Sequence, residues 1–217
     1  MMKSAFKKWA LFFAVGLGLP LMLLSVYSLF EQNKKTLPYF GDTVDDAKTH
    51  YRVEKFSFID QDSTIFNSSS LLKNKITVIH SFFTSCSSIC PKMIRNDISI
   101  LKEFKNEDEL MILSFTVDPE RDTPKHLKEY SMSLGLDLDR WKLLTGNKKD
   151  LYLFARKSLF IAVADGNGKG DDDDFIHSEQ AILLDKEQHI RGYFDLSSQE
   201  GMKSLINAIR ILKNKSI

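Results

Sequence analysis

The stretch ITVIHSFF, Ile76 to Phe83, runs almost directly into the two cysteines of the chain, Cys86 and Cys90, and then into Pro91. A nearly continuous apolar run of this length suits a strand buried on both faces, the kind that an open α/β architecture places at the centre of its sheet. Beyond it, Ile94, Ile98, Leu101 and Phe104 recur at helical spacing. A proline in the first turn of such a helix loses nothing by lacking its N–H. The cysteines therefore fall between the carboxyl end of a central strand and the start of a helix, where open α/β sheets place their sites. The positive end of the helix there favours thiolate over thiol.

Strand and helix alternate through the rest of the chain. Tyr51 to Phe66 reads as a hairpin turning near Asp60 to Ser63, and Leu110 to Val117 as a second buried strand. Lys125 to Leu134 forms a helix with Leu127, Tyr130 and Leu134 on one face; a short strand at Trp141 to Gly146 and a helix at Lys149 to Phe160 follow. Ala181 to Asp195 makes two strands about a turn. A capping box of Ser197 and Glu200 then opens a last helix carrying Met202, Leu205, Ile206, Ile209 and Leu212. The sum is an α/β, thioredoxin-like fold: a mixed central sheet flanked by helices, with an N-terminal β-hairpin and a βα insertion. Central strand, cysteines, helix is the order in which that fold presents its active site.

At the front, Trp9 to Phe30 supply 22 residues without a charge, preceded by Lys3, Lys7 and Lys8. That length crosses a bilayer, and no small-x-small cleavage site closes it, so it reads as an uncleaved single transmembrane helix. The expected organisation is a basic tail over 1–8, an anchor over 9–30, a tether over 31–50 and the thioredoxin-like domain over 51–217. The flanking lysines lean towards an N-terminus in the cytoplasm. That puts the C-terminal domain on the extracytoplasmic, periplasmic side of the inner membrane. Beyond residue 35 the chain holds 25 basic and 28 acidic residues, a balance that excludes the basic surface of a nucleic-acid partner.

One bridge across three residues constrains little of an unfolded chain, so a structural staple explains these cysteines poorly. Their neighbours Thr84, Ser85, Ser87 and Ser88 make a polar loop rather than a core face, which argues against two ordinary buried thiols. Redox and metal chemistry remain. Thioredoxin-like oxidoreductases commonly place two residues between the cysteines and a cis-proline late in the chain; here the spacing is three, and all five prolines lie at or before Pro124. Two thiolates alone are a poor structural zinc site, whereas soft sulfur plus an imidazole suits monovalent copper. Of the five histidines, His80 lies inside the buried strand, His50 in the tether, His126 at a helix start and His189 in the last hairpin turn. His177 stands just before AILLD, where the late proline loop of a thioredoxin would face the cysteines; position alone leaves it open between ligand and surface residue. The stretch before it mimics a calcium loop at Asp165 and Asn167, but the closing position is Ile176 instead of glutamate. Asp171 to Asp174 read as a solvated acidic loop.

Together LPYFG, FFTSCSSICPKM, SFTVDPERDTP and IHSEQAILLDKEQHIRGYFD resemble, in that order, the motifs of the SCO/SenC family of membrane-anchored, copper-handling thioredoxin-fold proteins. The resemblance runs from about Leu37 to the C-terminus. It implies that Cys86, Cys90 and His177 coordinate copper, as Cu(I) with Cu(II) an open alternative, and that the cysteines also cycle between dithiol and disulfide. It implies a role in assembling the dinuclear copper centre of cytochrome c oxidase, as copper donor, as thiol reductant of the copper-bearing subunit, or both. Other copper chaperones and thiol reductases are the further partners it suggests. Asp118 falls where the family carries an acidic residue beside the metal, and Glu120, Arg121 and Asp122 read as local ion pairs and a cap ahead of the next helix. A metallochaperone of this kind is not a turnover enzyme; the competing readings are an anchored thiol-disulfide oxidoreductase needing no metal and a binding module with a static bridge.

Overall fold

The computed structural model describes residues 18–32, 36–41, 49–161 and 179–214. The expected basic tail over 1–8, residues 9–17 of the expected anchor, 33–35 and 42–48 of the tether, and the loop with Asp171 to Asp174 and His177 lie outside the described residues. The chain divides into two units, Met1–Thr36 and Leu37–Ile217. In the first, α1 (Leu19–Gln32) is a helix of 14 residues. Among the described residues no helix is long and apolar enough to cross a membrane.

The second unit begins with β1 (Ser57–Asp60), β2 (Ile65–Asn67) and a single turn α2 (Ser68–Leu71). Then come β3 (Ile76–Phe82), α3 (Cys90–Glu103), β4 (Leu110–Thr116), α4 (Pro124–Leu134) and β5 (Trp141–Thr145). A helix α5 (Lys148–Leu153) continues as a π-helical turn over Phe154–Ser158, and β6 (Gln180–Leu184), β7 (Ile190–Asp195) and α6 (Gln199–Asn214) complete the unit. The seven strands form one sheet in the order β2, β1, β5, β4, β3, β6, β7. The centre is parallel, with Ile76 opposite Leu110 and Phe82 opposite Thr116, while β1, β6 and β7 pair antiparallel. This is the mixed, helix-flanked, thioredoxin-like sheet expected from the sequence.

Every residue of β3 and β4 is buried, because apolar cores cover both faces of the sheet. On one face Ile76, Val78 and Phe82 pack with Met93, Ile94 and Leu101 of α3 and with Leu205 and Ile209 of α6. On the other, Ile79, Leu113, Phe115 and Leu144 pack with Leu151, Phe154 and Leu159. Each such side chain contributes about 1.5–3 kcal/mol by leaving water. The Leu37 to Phe40 stretch is tied to this unit: Arg191 donates to the carbonyls of Pro38 and Leu37, and Phe40 bridges to Ile190.

Two local expectations change. The last helix is capped by Ser198, whose hydroxyl accepts from Gly201 N–H at 3.0 Å. Ser197 is drawn away instead, to Asp195 and Glu179, so no capping box forms. The helix expected over Lys149 to Phe160 starts at Lys148 and widens at Phe154. The wider turn keeps Phe154, Ala155 and Ser158 all buried, with the Phe154 ring against Phe56, Phe58 and Phe115.

A polar group sits inside the first core. His80 of β3 is fully buried, and its Nε2 lies 2.9 Å from the equally buried Asp97 of α3. Nδ1–H donates to Ser81 O, and Ser114, which accepts from Trp141 Nε1–H at 2.9 Å, lies 3.0 Å from Nε2. Burial disfavours the charge on His80, but the Asp97 carboxylate outweighs it and raises the imidazole above its ordinary value. The pair bolts the cysteine-bearing helix to the central strand.

Candidate metal and thiol centre

β3 ends at Phe82, and after a loop over 83–89 Cys90 is the first residue of α3. Within that loop Cys86 N–H donates to Phe83 O, which turns the chain back on itself. The turn carries the sulfur of Cys86 over the start of α3, where the Cys90 N–H points at it from 3.4 Å. The Ser88 hydroxyl lies 3.8 Å from the same sulfur. Both cysteines are free and buried, with only 8% of Cys86 and 4% of Cys90 exposed. Ser85, Ser87 and Ser88 are exposed, as a polar loop requires, while both cysteines belong to the same buried core as Phe82 and Met93.

The two thiols are unlike. At Cys86 burial works to raise the pKa, yet hydrogen bonds from Cys90 and Ser88 outweigh it and bring the thiol down to about 7. At Cys90 burial dominates, the hydrogen bond to Cys86 adds to it, and the thiol is pushed up to about 12. One sulfur is a nucleophile near neutral pH, and the other holds its proton until something draws it off. Alkylation of Cys86 by iodoacetamide is accordingly expected to reach half its plateau rate near pH 7, with Cys90 reacting only in strong alkali. Equal rates for the two at pH 7 would contradict this arrangement.

Asp118 lies at the same end of the sheet, half-buried, with its carboxylate 3.6 Å from Arg121 Nε and its N–H on the Thr116 hydroxyl. Arg121 does form a local ion pair, but with Asp118 rather than with Glu120 or Asp122. Asp122 departs from that reading: it is fully buried and accepts from Thr84 N–H at 3.2 Å, from the Thr84 hydroxyl and from the Thr116 hydroxyl. The helix cap is its neighbour Thr123, which accepts from His126 N–H, leaving Asp122 to turn inward. Tyr130 is a further group that periodicity assigned only to a packing face. Burial, then the negative charge that Cys90, Asp122 and Cys86 place beside it, pushes its hydroxyl up to about 12. Its identity as an inward residue of α4 was visible; its closeness to the thiols had no signal in the chain.

The other histidines are placed away from the sulfurs or bonded elsewhere. His50 stacks on Tyr39 at 3.7 Å, and His189 lies between Arg52 and Asp185. His126 Nε2 reaches the Thr84 hydroxyl at 3.0 Å. Among the described residues no three of His, Cys, Asp and Glu are gathered as metal ligands. Two adjacent soft sulfurs fit two positions of a copper site.

The family model SCO1/SenC matches residues 44–213. An SCO2-like protein of Rickettsia typhi is 32% identical over 189 residues, 84% of this chain and 90% of that protein. BsSco, a member of the Sco family of cytochrome c oxidase assembly proteins in which a disulfide switch was identified, is 28% identical with TM-score 0.63, covering 81% and 98% of the two chains. ScoI of Bradyrhizobium japonicum with copper bound is 25% identical with TM-score 0.57, covering 73% and 99%.

Proposed function

The chain belongs to the SCO1/SenC family, and from that premise we propose that it is a copper metallochaperone carrying Cu(I) as cargo for the dinuclear copper site of cytochrome c oxidase. The observation that carries this reading is the pair Cys86 and Cys90, brought to one point by the loop and the start of α3. Each thiol gives up its proton as its sulfur takes the cation, and thiolates suit monovalent copper. The copper held by the Bradyrhizobium relative on the same fold supports the choice of metal. His177 is proposed as the third ligand, an imidazole delivered from the segment between the π-helical turn and β6. Asp118 is proposed to stand beside the metal without binding it. The 22 uncharged residues from Trp9 to Phe30 support a single-pass anchor in the inner membrane, with the copper domain on its extracytoplasmic side.

A second reading, thiol-disulfide exchange on partner cysteines, is favoured by the unequal thiols and by the disulfide switch of BsSco. The Cys86 thiolate attacks a partner disulfide, forming a mixed disulfide and releasing one partner thiolate. Cys90, losing its proton, then attacks the Cys86 sulfur and releases the second. The partner gains two thiols, and this chain ends as the disulfide. The two roles are compatible, since a recipient site must be reduced before it can take copper.

Titration of the reduced full chain with Cu(I), supplied from a chromophoric chelator, tests the ligand set. One equivalent is expected to bind, and His177→Ala is expected to weaken it by at least the roughly tenfold that loss of even a supporting contact costs a metal site. Unchanged affinity would remove His177 from the site while leaving the cysteines in place.

A further inference from the structure

We propose that Asp122 is the positioning residue of the cysteine loop, acting through Thr84 to hold the turn that brings the two sulfurs together; this rests on Cys86 and Cys90 being the copper and thiol pair. Thr84 lies two residues before Cys86, and both its N–H and its hydroxyl donate to the Asp122 carboxylate, across 38 residues of sequence. The same carboxylate accepts from Thr116 on β4, the residue opposite Phe82 in the sheet register. Asp122 N–H is itself fixed on Asp118 O. Asp122 therefore clamps the start of the loop to the end of the neighbouring strand.

Burial makes the choice of residue informative. Asp122 is fully buried, and among the described residues no lysine, arginine or histidine pairs with it. A carboxylate without water or a cation is costly unless hydrogen bonds satisfy it. Here hydroxyl and amide donors do so, two of them from the loop that carries the sulfur. The helix beyond needs no such group, because Thr123 already caps it. A carboxylate only accepts, so the Thr84 proton is committed to Asp122, and the Thr84 oxygen is left to accept from His126 Nε2–H. Thr84 is thus held from α4 as well as from the turn before it. A loop fixed in this way before the metal arrives loses less freedom on binding, and keeps each thiol at high effective concentration about the other.

The test compares Thr84→Val, Thr84→Ser and Asp122→Asn with the parent, all as full chains. Two quantities are read: affinity for Cu(I) alone, and the equilibrium constant for forming the internal disulfide against glutathione disulfide. In the latter, two chain thiols lose two electrons and two protons while one glutathione disulfide becomes two glutathione thiols. Thr84→Val is expected to lower both about tenfold, and Thr84→Ser, which keeps the hydroxyl, to stay within about twofold of the parent. Asp122→Asn is expected to follow Thr84→Val. Should that buried substitution fail to fold, the half-buried Thr84 pair still decides. Thr84→Val leaving both quantities unchanged, or Thr84→Ser falling as far, would overturn the clamp. If the parent takes up no Cu(I), it is the copper reading that fails, and the glutathione measurement still judges Asp122.

Discussion

Serine in place of Cys86, and separately in place of Cys90, will lower Cu(I) affinity by well over about 100-fold, beyond the range that loss of a supporting partner costs a metal site. The substitution changes one atom and almost no volume, so the fold is expected to persist. What changes is the donor: a hydroxyl is hard, keeps its proton at neutral pH and does not match monovalent copper. The two variants should part in thiol exchange. Cys86→Ser removes the thiol that sits near pH 7 and stops attack on a disulfide substrate. Cys90→Ser leaves the attack but removes the resolving sulfur, so a mixed disulfide with the substrate accumulates. Mass spectrometry of the adduct checks the second outcome, and competition for Cu(I) checks the first. Retention of parental copper affinity by either variant would exclude the two-sulfur site.

The second large effect lies beneath the loop. His80→Leu is expected to destabilise the fold by about 3–5 kcal/mol, because it strands the Asp97 carboxylate in a fully buried position. Replacing both, as His80→Leu with Asp97→Leu, should recover most of that loss, since removing the pair also removes the cost of burying it. Urea unfolding followed by circular dichroism measures both, and additive losses in the double variant would show that the two side chains do not act as a pair. The pH dependence has a definite sign. His80 titrates higher folded than unfolded, so the stabilisation it brings is full below its unfolded value and is lost as pH rises through its folded value. Burial raises Asp97 as well, which pushes in the same direction, since the folded chain then holds the more protons.

How far the sequence could be read depended on the range of the interactions involved. β3 and β4 were legible because strands buried on both faces are apolar without interruption, and that pattern is local. The position of Cys90 at the head of α3 was legible because Pro91 marks a first turn. The helix boundaries shifted where neighbouring residues competed for one role: Ser197 and Ser198 are chemically equal candidates, and only Asp195 and Glu179, brought close by the sheet, decide between them. The same holds at Asp122. Glu120, Arg121 and Asp122 read as ion pairs and a cap, but Thr123 supplies the cap and Arg121 pairs with Asp118. Asp122 turns inward because its partners Thr84 and Thr116 arrive from the loop after β3 and from the end of β4, and hydrogen bonds between segments distant in sequence leave no periodic trace. His80 was placed in the core, but its partner Asp97, an ordinary polar letter on an amphipathic helix, carried no mark of burial. The thiols show the same limit: their spacing pointed to chemistry, while their inequality comes from the deeper burial of Cys90 and from the Cys90 and Ser88 groups that the turn directs at the Cys86 sulfur.

The central claim is that Cys86 and Cys90 hold the metal together. X-ray absorption at the copper edge of the reduced, Cu(I)-loaded full chain tests it most directly, since it counts sulfur and nitrogen neighbours at once. The account predicts two sulfur neighbours and one nitrogen, with the nitrogen lost in His177→Ala and both sulfurs kept. A parental spectrum with fewer than two sulfurs, or copper bound by nitrogen and oxygen alone, would contradict it.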